Sequence, residues 1–259
     1  MDVCITGSHG YIGSHLRKTV NADWIDLKIG SDILDHELKI DASIIVHLAA
    51  LVQVGESVQK PLDYYQTNIN GTINLLDKFN GEHFIFASTG AVDYLNSPYA
   101  LSKKACEEII VDQCKKRGIN YTIFRFYNII GSSFGIKPTN PDGLFYALCN
   151  AANNGSINIY GSDYDTPDGT CIRDYVHVME ICNAIKAAID EPSNSIECLG
   201  HGNGYSVLEL TKIFQEVNNV DFDINFVDRR QGDIEKSVLK DVSKYMQNQY
   251  TIEEMLKID

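Results

Sequence analysis

Two ionisable residues, Tyr99 and Lys103, stand four positions apart near the start of a predicted helix. That spacing places both side chains on one helical face, with an ammonium beside a phenol. A free tyrosine has a pKa of about 10 and is a poor base at neutral pH. A neighbouring positive charge stabilises the phenolate, and lowering its pKa by about 3 takes about 4 kcal/mol. The pair predicts proton transfer by a tyrosine, although ordinary surface helices also carry this spacing.

Three glycines follow the first predicted strand with the spacing Gly7-x-x-Gly10-x-x-Gly13. Gly7 permits a tight turn, Gly10 lets the backbone approach a pyrophosphate, and Gly13 lets the next helix pack on the strand. Asp26 ends the second predicted strand, where a carboxylate can hold both hydroxyls of an adenosine ribose. Because a carboxylate repels a 2′-phosphate, the pattern predicts NAD rather than NADP as the cofactor.

Short β-branched runs alternate with helical patterns through the first half of the chain. The predicted strands are Val3–Thr6, Trp24–Asp26, Ile44–Leu48, His83–Ser88 and Tyr121–Phe126, and the main predicted helices end at Val20 or span Asn68–Phe79, Tyr99–Lys116, Leu144–Ala151 and Val178–Ile189. Near-continuous apolar strands indicate a buried parallel sheet. We therefore predict an α/β fold, a Rossmann-type doubly wound parallel sheet with a smaller C-terminal α/β substrate domain. The expected dinucleotide-binding domain comprises 1–131 and 175–197, and the substrate domain comprises 132–174 and 198–259.

Composition narrows the function classes. The chain has 259 residues, 44% of them hydrophobic and 22% charged, which is typical of a globular protein. Its formal net charge of −13 argues against nucleic-acid binding, which needs a basic face. The longest apolar run, Ile44–Val54, is too short to span a membrane, and no cluster of residues has metal-ligand spacing. The seven cysteines lack a C-x-x-C pair, so we expect reduced thiols and a cytoplasmic protein with neither a membrane partner nor a metal.

These motifs together resemble a known family. The glycine turn, the Tyr99/Lys103 pair and the run Arg173-Asp174-Tyr175-Val176-His177-Val178 are similar to those of the extended short-chain dehydrogenase/reductase superfamily. Within it, the stretches Val54–Tyr65, Asp165–Thr170 and Arg229–Asp233 most resemble the UDP-glucose 4-epimerase group. The resemblance extends from Met1 to about Leu256.

The resemblance implies an isomerase that uses permanently bound NAD+ to epimerise a UDP-sugar at C4. Tyr99 would take the proton of the sugar 4-hydroxyl while hydride moves from C4 to the nicotinamide. The 4-keto sugar would turn about its diphosphate link and take hydride back on its other face. Lys103 would hold the nicotinamide ribose and tune Tyr99, and Thr89 would hydrogen-bond the reacting oxygen. The expected substrates are UDP-galactose and UDP-glucose of galactose metabolism.

The resemblance also assigns binding residues. The cofactor set is Gly7, Gly10, Tyr11, Ile12, Gly13, Asp26, Asp32, Ile33, Leu48, Ala49, Ala50 and Lys103, and the substrate set is Asn128, Tyr160, Arg173, Arg230, Asp233 and Ser237. Asp32 would accept from the adenine amino group. Two guanidiniums suit a diphosphate because each is a planar fork of donors, and Tyr160 would abut the uracil.

One substrate residue bears on sugar specificity. Ser237 occupies a position where a bulky tyrosine narrows the sugar pocket of glucose-only members, so the chain permits N-acetylhexosamine forms. Removing a barrier does not by itself create a preference.

The family commonly forms homodimers through a four-helix bundle. Helices like Asn68–Phe79 and Tyr99–Lys116 would build it here. Tyr64, Leu75, Ile109 and Ile110 would contribute either to this bundle or to the core.

Several positions depart from the family. The loop after Asp26 is cut almost to Lys28-Ile29-Gly30, which we expect to weaken cofactor retention. Val52, Thr67 and Asp93 stand where many members have Lys, Asn and Tyr.

Other reactions of nucleotide sugars that enzymes with the same fold catalyse remain alternatives: decarboxylation, 4-keto reduction or dehydration. Thr89 is followed by Gly90-Ala91 rather than by the acid pair of dehydratases, and Asp26 disfavours the NADPH of reductases. A catalytically silent dinucleotide-binding sensor is a further alternative, which Tyr99 and Lys103 disfavour.

Overall fold

The computed structural model describes residues 2–230 and 233–258. In chain order its elements are β1 (Val3–Thr6), α1 (Tyr11–Leu16), β2 (Asp23–Ile25), β3 (Ile44–His47), α2 (Val54–Gln59), α3 (Pro61–Tyr64), α4 (Gly71–Lys78), β4 (His83–Thr89), α5 (Pro98–Arg117), β5 (Asn120–Phe126), β6 (Asn128–Ile130), α6 (Leu144–Asn154), β7 (Ser156–Tyr160), β8 (Ile172–His177), α7 (Val178–Asp190), β9 (Asn194–Leu199), β10 (Gly204–Ser206), α8 (Val207–Asn218), β11 (Asp223–Val227), β12 (Lys236–Ser237) and α9 (Ile252–Met255). Two compact units comprise Met1–Phe126 with Ile181–Cys198 (unit 1) and Tyr127–Glu180 with Leu199–Asp259 (unit 2).

Unit 1 contains a six-stranded sheet in the order β2-β1-β3-β4-β5-β9. β1 pairs in parallel with both β2 and β3, and β4 pairs in parallel with both β3 and β5. Because β2 and β3 lie on opposite sides of β1, the strand order reverses there. In open α/β sheets, ligands bind beyond the carboxyl ends of the strands at such a reversal. The predicted Rossmann-type α/β fold is confirmed.

The inner strands of unit 1 are largely buried on both faces, as their apolar runs predict. All four residues of β1 and of β3 are buried, and helices α4 and α5 cover one face with Leu75, Leu76, Cys106 and Ile110. Each strand therefore ends at a fixed point of a packed sheet. The loops that follow β1, β3 and β4 start from rigid positions.

Helix α5 has the termini that its sequence predicts. The Ser97 hydroxyl accepts a hydrogen bond from the Ala100 N–H at 3.2 Å, and Pro98 takes the first helical position. At the other end Gly118 adopts a left-handed conformation, with φ of 70°, after three basic residues. These caps fix where the helix begins, and thus where Tyr99 and Lys103 lie.

Two predicted helices differ from the structure. α1 ends at Leu16 rather than at Val20, because the N–H groups of Lys18 and Thr19 bond to carbonyls three residues back and tighten the last turn. The single helix predicted over Asn68–Phe79 is instead a π-helical segment, Tyr65–Asn70, that runs into α4. Such segments are frequent at functional sites.

Unit 2 is built around β8, which pairs with β6, β10 and β12, while β7 pairs with β11. The buried Asp174 carboxylate accepts the N–H groups of His201, Gly202 and Leu239 at 2.8 to 3.1 Å. Burial raises the pKa of Asp174, and these three donors oppose the increase. Asp174 thereby ties two loops to β8, the one at His201 and Gly202 and the one at Leu239.

The sequence-derived boundaries differ slightly from those of the compact units. The sequence places 127–131 and 175–180 in the dinucleotide-binding domain, whereas the structure places them in unit 2 because β6 and the end of β8 pair with each other, and Cys198 belongs to unit 1. Within the described residues, no helix combines the length and apolarity that a membrane span requires.

Candidate active site

The glycine turn lies at the carboxyl end of β1. Gly7 has a φ of +72°, and a Cβ there would lie 2.7 Å from the backbone nitrogen of Ala49. A Cβ on Gly13 would lie 2.2 Å from the Gly7 carbonyl oxygen. The first and third glycines are therefore required by close backbone approach. The Thr6 hydroxyl accepts the Ala49 N–H at 3.1 Å, so the predicted contacts Leu48, Ala49 and Ala50 follow β3 directly beside this turn.

The carboxylate of Asp26 lies at the edge of the glycine turn. It accepts the His9 N–H at 2.8 Å on one oxygen and the Lys28 N–H at 2.9 Å on the other. Each carboxylate oxygen can accept more than one hydrogen bond, so both retain capacity for ribose hydroxyls. A short 3₁₀ turn, Leu27–Ile29, follows at once and ends at Gly30.

The other predicted cofactor residues lie at two places in unit 1. Asp32 accepts the Leu34 N–H at 2.9 Å, and Ile33 is buried, where a Cβ on Gly71 would meet its Cδ1 at 2.5 Å. Ile33 is thus part of the core as well as of the loop. Tyr11 and Ile12 are partly buried in the first turn of α1.

The structure brings the three predicted catalytic residues together in unit 1. Thr89 is the last residue of β4, and its side chain is hydrogen-bonded to that of Tyr99 in the first turn of α5. One turn further, Lys103 is 3% exposed, with its Nζ 3.9 Å from the centre of the Phe86 ring. Within the described residues no hydrogen-bond acceptor is seen for this ammonium. A buried ammonium over an aromatic face is held by charge rather than by a hydrogen bond.

Burial perturbs both titrating groups. It raises the pKa of Tyr99 to about 12, and the hydrogen bond from Thr89 opposes this increase. It also lowers the pKa of Lys103 to about 8. The sequence-based expectation of a lowered tyrosine pKa is therefore not met by the side chains alone. A further positive charge near the phenol is needed for proton transfer at neutral pH.

His47 has a structural role. Its two ring nitrogens lie 2.8 Å from the Thr6 hydroxyl and 3.0 Å from the Thr72 hydroxyl. Burial, and then the charge of Lys103, hold its pKa well below the usual range. It is therefore a neutral link between β1, β3 and α4.

Sequence analysis missed Asn68, which lies in the π-helical segment and is 2% exposed. Its amide exchanges two hydrogen bonds with the backbone of Leu51, at 2.9 and 3.1 Å, and donates to the Ser102 hydroxyl at 2.9 Å. It thus joins the loop after β3 to helix α5, which carries Tyr99 and Lys103. The only signal in the sequence was a polar residue at an apolar helical position.

Tyr64 was also missed as a neighbour of the site. Its ring meets that of Tyr99 edge to face, with centroids 6.4 Å apart. Its hydroxyl donates to the Gln53 carbonyl at 2.7 Å. This packing holds the Tyr99 ring from the side of α3.

The predicted substrate residues lie in unit 2 in two groups. The Arg173 guanidinium on β8 lies 3.4 Å from the Asp233 carboxylate. Ser237 on β12 is the register partner of Arg173. The Arg230 guanidinium lies 3.9 Å from the centre of the Tyr160 ring. Arg173 thus pairs with a carboxylate that lies 60 residues further along the chain.

Asn128 is placed separately, on β6, where its amide donates to the Asp174 carbonyl at 2.9 Å. Arg230 also donates to the Asp142 carbonyl at 3.3 Å. Gln231 and Gly232, within the Arg229–Asp233 motif, lie outside the described residues.

Comparison with known proteins agrees with this geometry. The model of the NAD dependent epimerase/dehydratase family matches residues 3–198. UDP-glucose 4-epimerase of Haemophilus influenzae is 31% identical over 90% of this chain and 88% of its own length, and that of Homo sapiens is 30% identical over 90% and 86%.

Solved structures give the same result. UDP-glucose 4-epimerase from Bifidobacterium longum, in complex with NAD+ and UDP, superimposes with a TM-score of 0.87 at 27% identity, covering 99% of this chain and 96% of that one. The UDP-Glc/GlcNAc 4-epimerase of Campylobacter jejuni gives 0.79 at 27% identity, covering 98% and 96%. The resemblance inferred from the motifs is confirmed, and the chain belongs to the NAD dependent epimerase/dehydratase family.

Proposed function

We propose that this protein is an NAD-dependent isomerase that interconverts UDP-galactose and UDP-glucose by epimerisation at C4. The observation that carries the proposal is the contact of Thr89 with Tyr99, one helical turn from the buried Lys103. Similarity to UDP-glucose 4-epimerases over 90% of the chain supports the substrate class.

The residues of unit 1 fit the dinucleotide of the family. Gly7 and Gly13 leave no room for a Cβ, and Gly10 has none, so the backbone of the turn is able to approach a pyrophosphate. Asp26 has acceptor capacity for ribose hydroxyls, and Asp32 and Ile33 lie in the loop that would receive adenine. Bound NAD+ would supply the hydride acceptor and, near Tyr99, a positive charge.

The protein's own groups perform the proton transfer. Tyr99 would take the proton from the sugar 4-hydroxyl and return it after the sugar has turned. Thr89 would hold the reacting oxygen through the hydroxyl that contacts Tyr99. Lys103 would hold the nicotinamide ribose, and its charge would favour the phenolate form of Tyr99.

The residues of unit 2 would hold the UDP part of the substrate. Arg173 and Arg230 supply two planar guanidiniums for a diphosphate. Asp233 orients Arg173 at 3.4 Å, and Arg230 stacks on Tyr160, whose second face is proposed to abut the uracil. Asn128 contributes an amide on β6.

Sugar specificity is proposed to depend on Ser237. It is partly buried opposite Arg173 in the β8–β12 pair. A small residue at this point leaves space for an N-acetyl group. The likeness to a UDP-Glc/GlcNAc 4-epimerase supports acceptance of UDP-N-acetylhexosamines as well.

We also propose a cytoplasmic homodimer that serves galactose metabolism. The outward surfaces of α3, α4 and α5 carry the exposed apolar residues Leu62, Ile73 and Leu101, which support a four-helix interface. Tyr64, Leu75 and Ile110 instead belong to the core, and Ile109 packs against it. Free thiols at all seven cysteines support a reducing compartment.

An NMR time course tests the proposed reaction. The purified protein is mixed with UDP-galactose and UDP-N-acetylgalactosamine, first without and then with added NAD+, and the anomeric protons are followed. We expect gluco-configured signals to grow from UDP-galactose. If neither product forms with NAD+ present, 4-epimerisation of these two sugars is excluded. Conversion only after NAD+ is added would indicate that the short loop after Asp26 weakens cofactor retention.

A further inference from the structure

A buried ion pair joins three elements of unit 1 beside the proposed catalytic residues. The Glu107 carboxylate on α5 is 1% exposed. It accepts the Ser88 hydroxyl of β4 at 2.6 Å and two donors of the Arg125 guanidinium of β5 at 2.9 and 2.7 Å. Arg125 reaches the half-exposed Asp93 at 2.9 Å with its remaining terminal nitrogen.

The position of Glu107 relates it to each proposed catalytic group. On α5 it follows Lys103 by one turn and Tyr99 by two, so the three share one helical face. On β4 its partner Ser88 directly precedes Thr89, and Ser88 is also the register partner of Arg125. The Glu107 carboxylate is therefore a fixed link between the strand end that carries Thr89 and the helix that carries Tyr99.

Stability alone does not account for this arrangement. Well-packed apolar residues often serve as well as a buried ion pair, because the two charges must be desolvated. The ion pair also fixes the orientation of the Glu107 carboxylate, because a bidentate guanidinium and a serine hydroxyl hold it. A small displacement of catalytic groups costs up to about 100-fold in rate.

We propose that Glu107 is a positioning residue for the epimerisation: it sets Thr89 against Tyr99 through Ser88 and Arg125, and its negative charge acts on Lys103, one turn away on the same helical face. This inference rests on the proposed function, because it assigns Glu107 a role through Tyr99, Lys103 and Thr89.

The effect of Glu107 on Lys103 depends on the other groups that surround the Lys103 ammonium. Burial lowers the pKa of its ammonium to about 8, and Cys106 and Glu107, on the same helix, oppose the decrease. From β3 the buried His47 faces it, and from β4 the uncharged ring of Phe86. The pKa of Cys106 is raised by burial, and that of His47 is lowered by burial, so both are neutral near pH 7. Of the groups that act on Lys103, Glu107 is then the anion, and it also faces Arg125 at 2.7 Å and Lys104 at 3.6 Å.

The test compares Glu107→Gln with Glu108→Gln, which removes a neighbouring carboxylate from the exposed side of α5. For Glu107→Gln we expect kcat to fall about tenfold or more, with KM for UDP-galactose changed less than about threefold. The alkaline limb of kcat should move to lower pH. The Glu108→Gln protein should retain the wild-type profile. Equal profiles for both variants would overturn the proposal.

A second variant guards against misfolding, because Glu107→Gln removes the buried counter-ion of Arg125 and leaves its guanidinium paired with the half-exposed Asp93. The double substitution Glu107→Leu with Arg125→Met replaces the pair by apolar residues, a change that is often neutral for stability. We expect a melting temperature near that of the wild type together with reduced kcat and the same alkaline shift. Wild-type kcat in this folded protein would overturn the proposal.

A readout without turnover separates this inference from the proposed function. NMR of protein labelled with ¹³Cε-lysine, with the Lys103 signal assigned from Lys103→Met, follows the titration of Lys103 directly. Glu107→Gln should move that titration to lower pH, and Glu108→Gln should not. An unmoved titration would overturn the electrostatic part, whereas an inactive wild type with a moved titration would count against the proposed reaction only.

Discussion

The side chain of Thr89, at the end of β4, is hydrogen-bonded to that of Tyr99, in the first turn of α5. The two residues reach this contact from different elements, and each element is fixed by its own packing. β4 lies within the sheet between β3 and β5, and α5 begins at a capped N-terminus. The proposed reaction centre is thus a junction between a rigid strand and a rigid helix.

Replacing the tyrosine phenol should abolish turnover without unfolding the protein. Tyr99→Phe removes only the hydroxyl, so the ring still packs on Tyr64. We expect kcat for UDP-galactose to fall by about 10²–10⁴-fold, the usual size of a general-base effect. Thermal melting and NAD+ binding should stay near wild type. The control is Tyr94→Phe, at an exposed tyrosine, and comparable activity of the two variants would contradict the assignment.

Activity should be lost on the alkaline side. The Lys103 ammonium has a pKa of about 8, below its usual value because it is buried, so the charged form prevails below that pH. As pH rises through about 8, the charge that supports the Tyr99 phenolate is lost, and kcat should decline. A pH–rate profile from 6 to 10 checks this, and a kcat that remains constant to pH 10 would exclude the role of Lys103.

The same shift predicts that Lys103 costs stability. Its folded pKa lies below the unfolded value of 10.5, so the fold disfavours the charged form. The penalty is full below about pH 8 and shrinks as pH rises toward 10.5, so stability should increase over that window. Lys103→Met should therefore raise the free energy of unfolding at pH 7 by about 1–3 kcal/mol while abolishing activity.

Urea denaturation measures the free energy of unfolding of the Lys103→Met protein, with Lys104→Met as the control. Lys104 is partly exposed and lies 2.7 Å from the exposed Glu108 and 3.6 Å from the buried Glu107, so its loss should change stability by about 1 kcal/mol or less. A destabilised Lys103→Met protein would show that the ammonium contributes to the fold instead.

Asn68 should matter for both stability and cofactor binding. Asn68→Ala leaves the partly buried backbone of Leu51 without two of its hydrogen bonds, which costs about 1–3 kcal/mol. Because Leu51 directly follows the cofactor loop at Leu48–Ala50, NAD+ should bind more weakly. Asn70→Ala, at an exposed asparagine two residues on, is the control. Equal calorimetric NAD+ affinities for the two variants would count against the link.

Enlarging residue 237 should restrict the sugar. Ser237→Tyr places a bulky ring beside Arg173, where the proposed substrate site holds the sugar nucleotide. We expect the ratio of kcat/KM for UDP-N-acetylgalactosamine to that for UDP-galactose to fall at least about tenfold. Ser237→Ala should leave the ratio unchanged, and a Tyr variant that keeps both activities would place the sugar elsewhere.

Some of these features were predictable from the sequence because they depend on local spacing. Gly7, Gly13 and Asp26 are recognised by their distances along the chain and by the strands beside them. The caps of α5 are equally local, so the position of Tyr99 on its helix follows from Ser97 and Pro98.

Other features were not predictable, because they are contacts between distant segments. Asn68 and Ser102 are 34 residues apart, and Ser88 and Glu107 are 19 apart. The stacking of Arg230 on Tyr160 is of the same kind, since each residue was predicted singly without its partner. The perturbation of Tyr99 is of a related kind, because spacing gives the neighbouring charge but not the depth of burial that raises its pKa.

The central claim is that hydride leaves C4 of the sugar and returns to the same carbon. UDP-galactose deuterated at C4 is incubated with the protein in ordinary water, and the UDP-glucose formed is analysed by ¹H NMR and mass spectrometry. We predict that the product retains deuterium at C4, because the hydride never exchanges with solvent. UDP-glucose with hydrogen at C4 would show exchange with water and would contradict the mechanism, and an absence of UDP-glucose would contradict the assigned reaction.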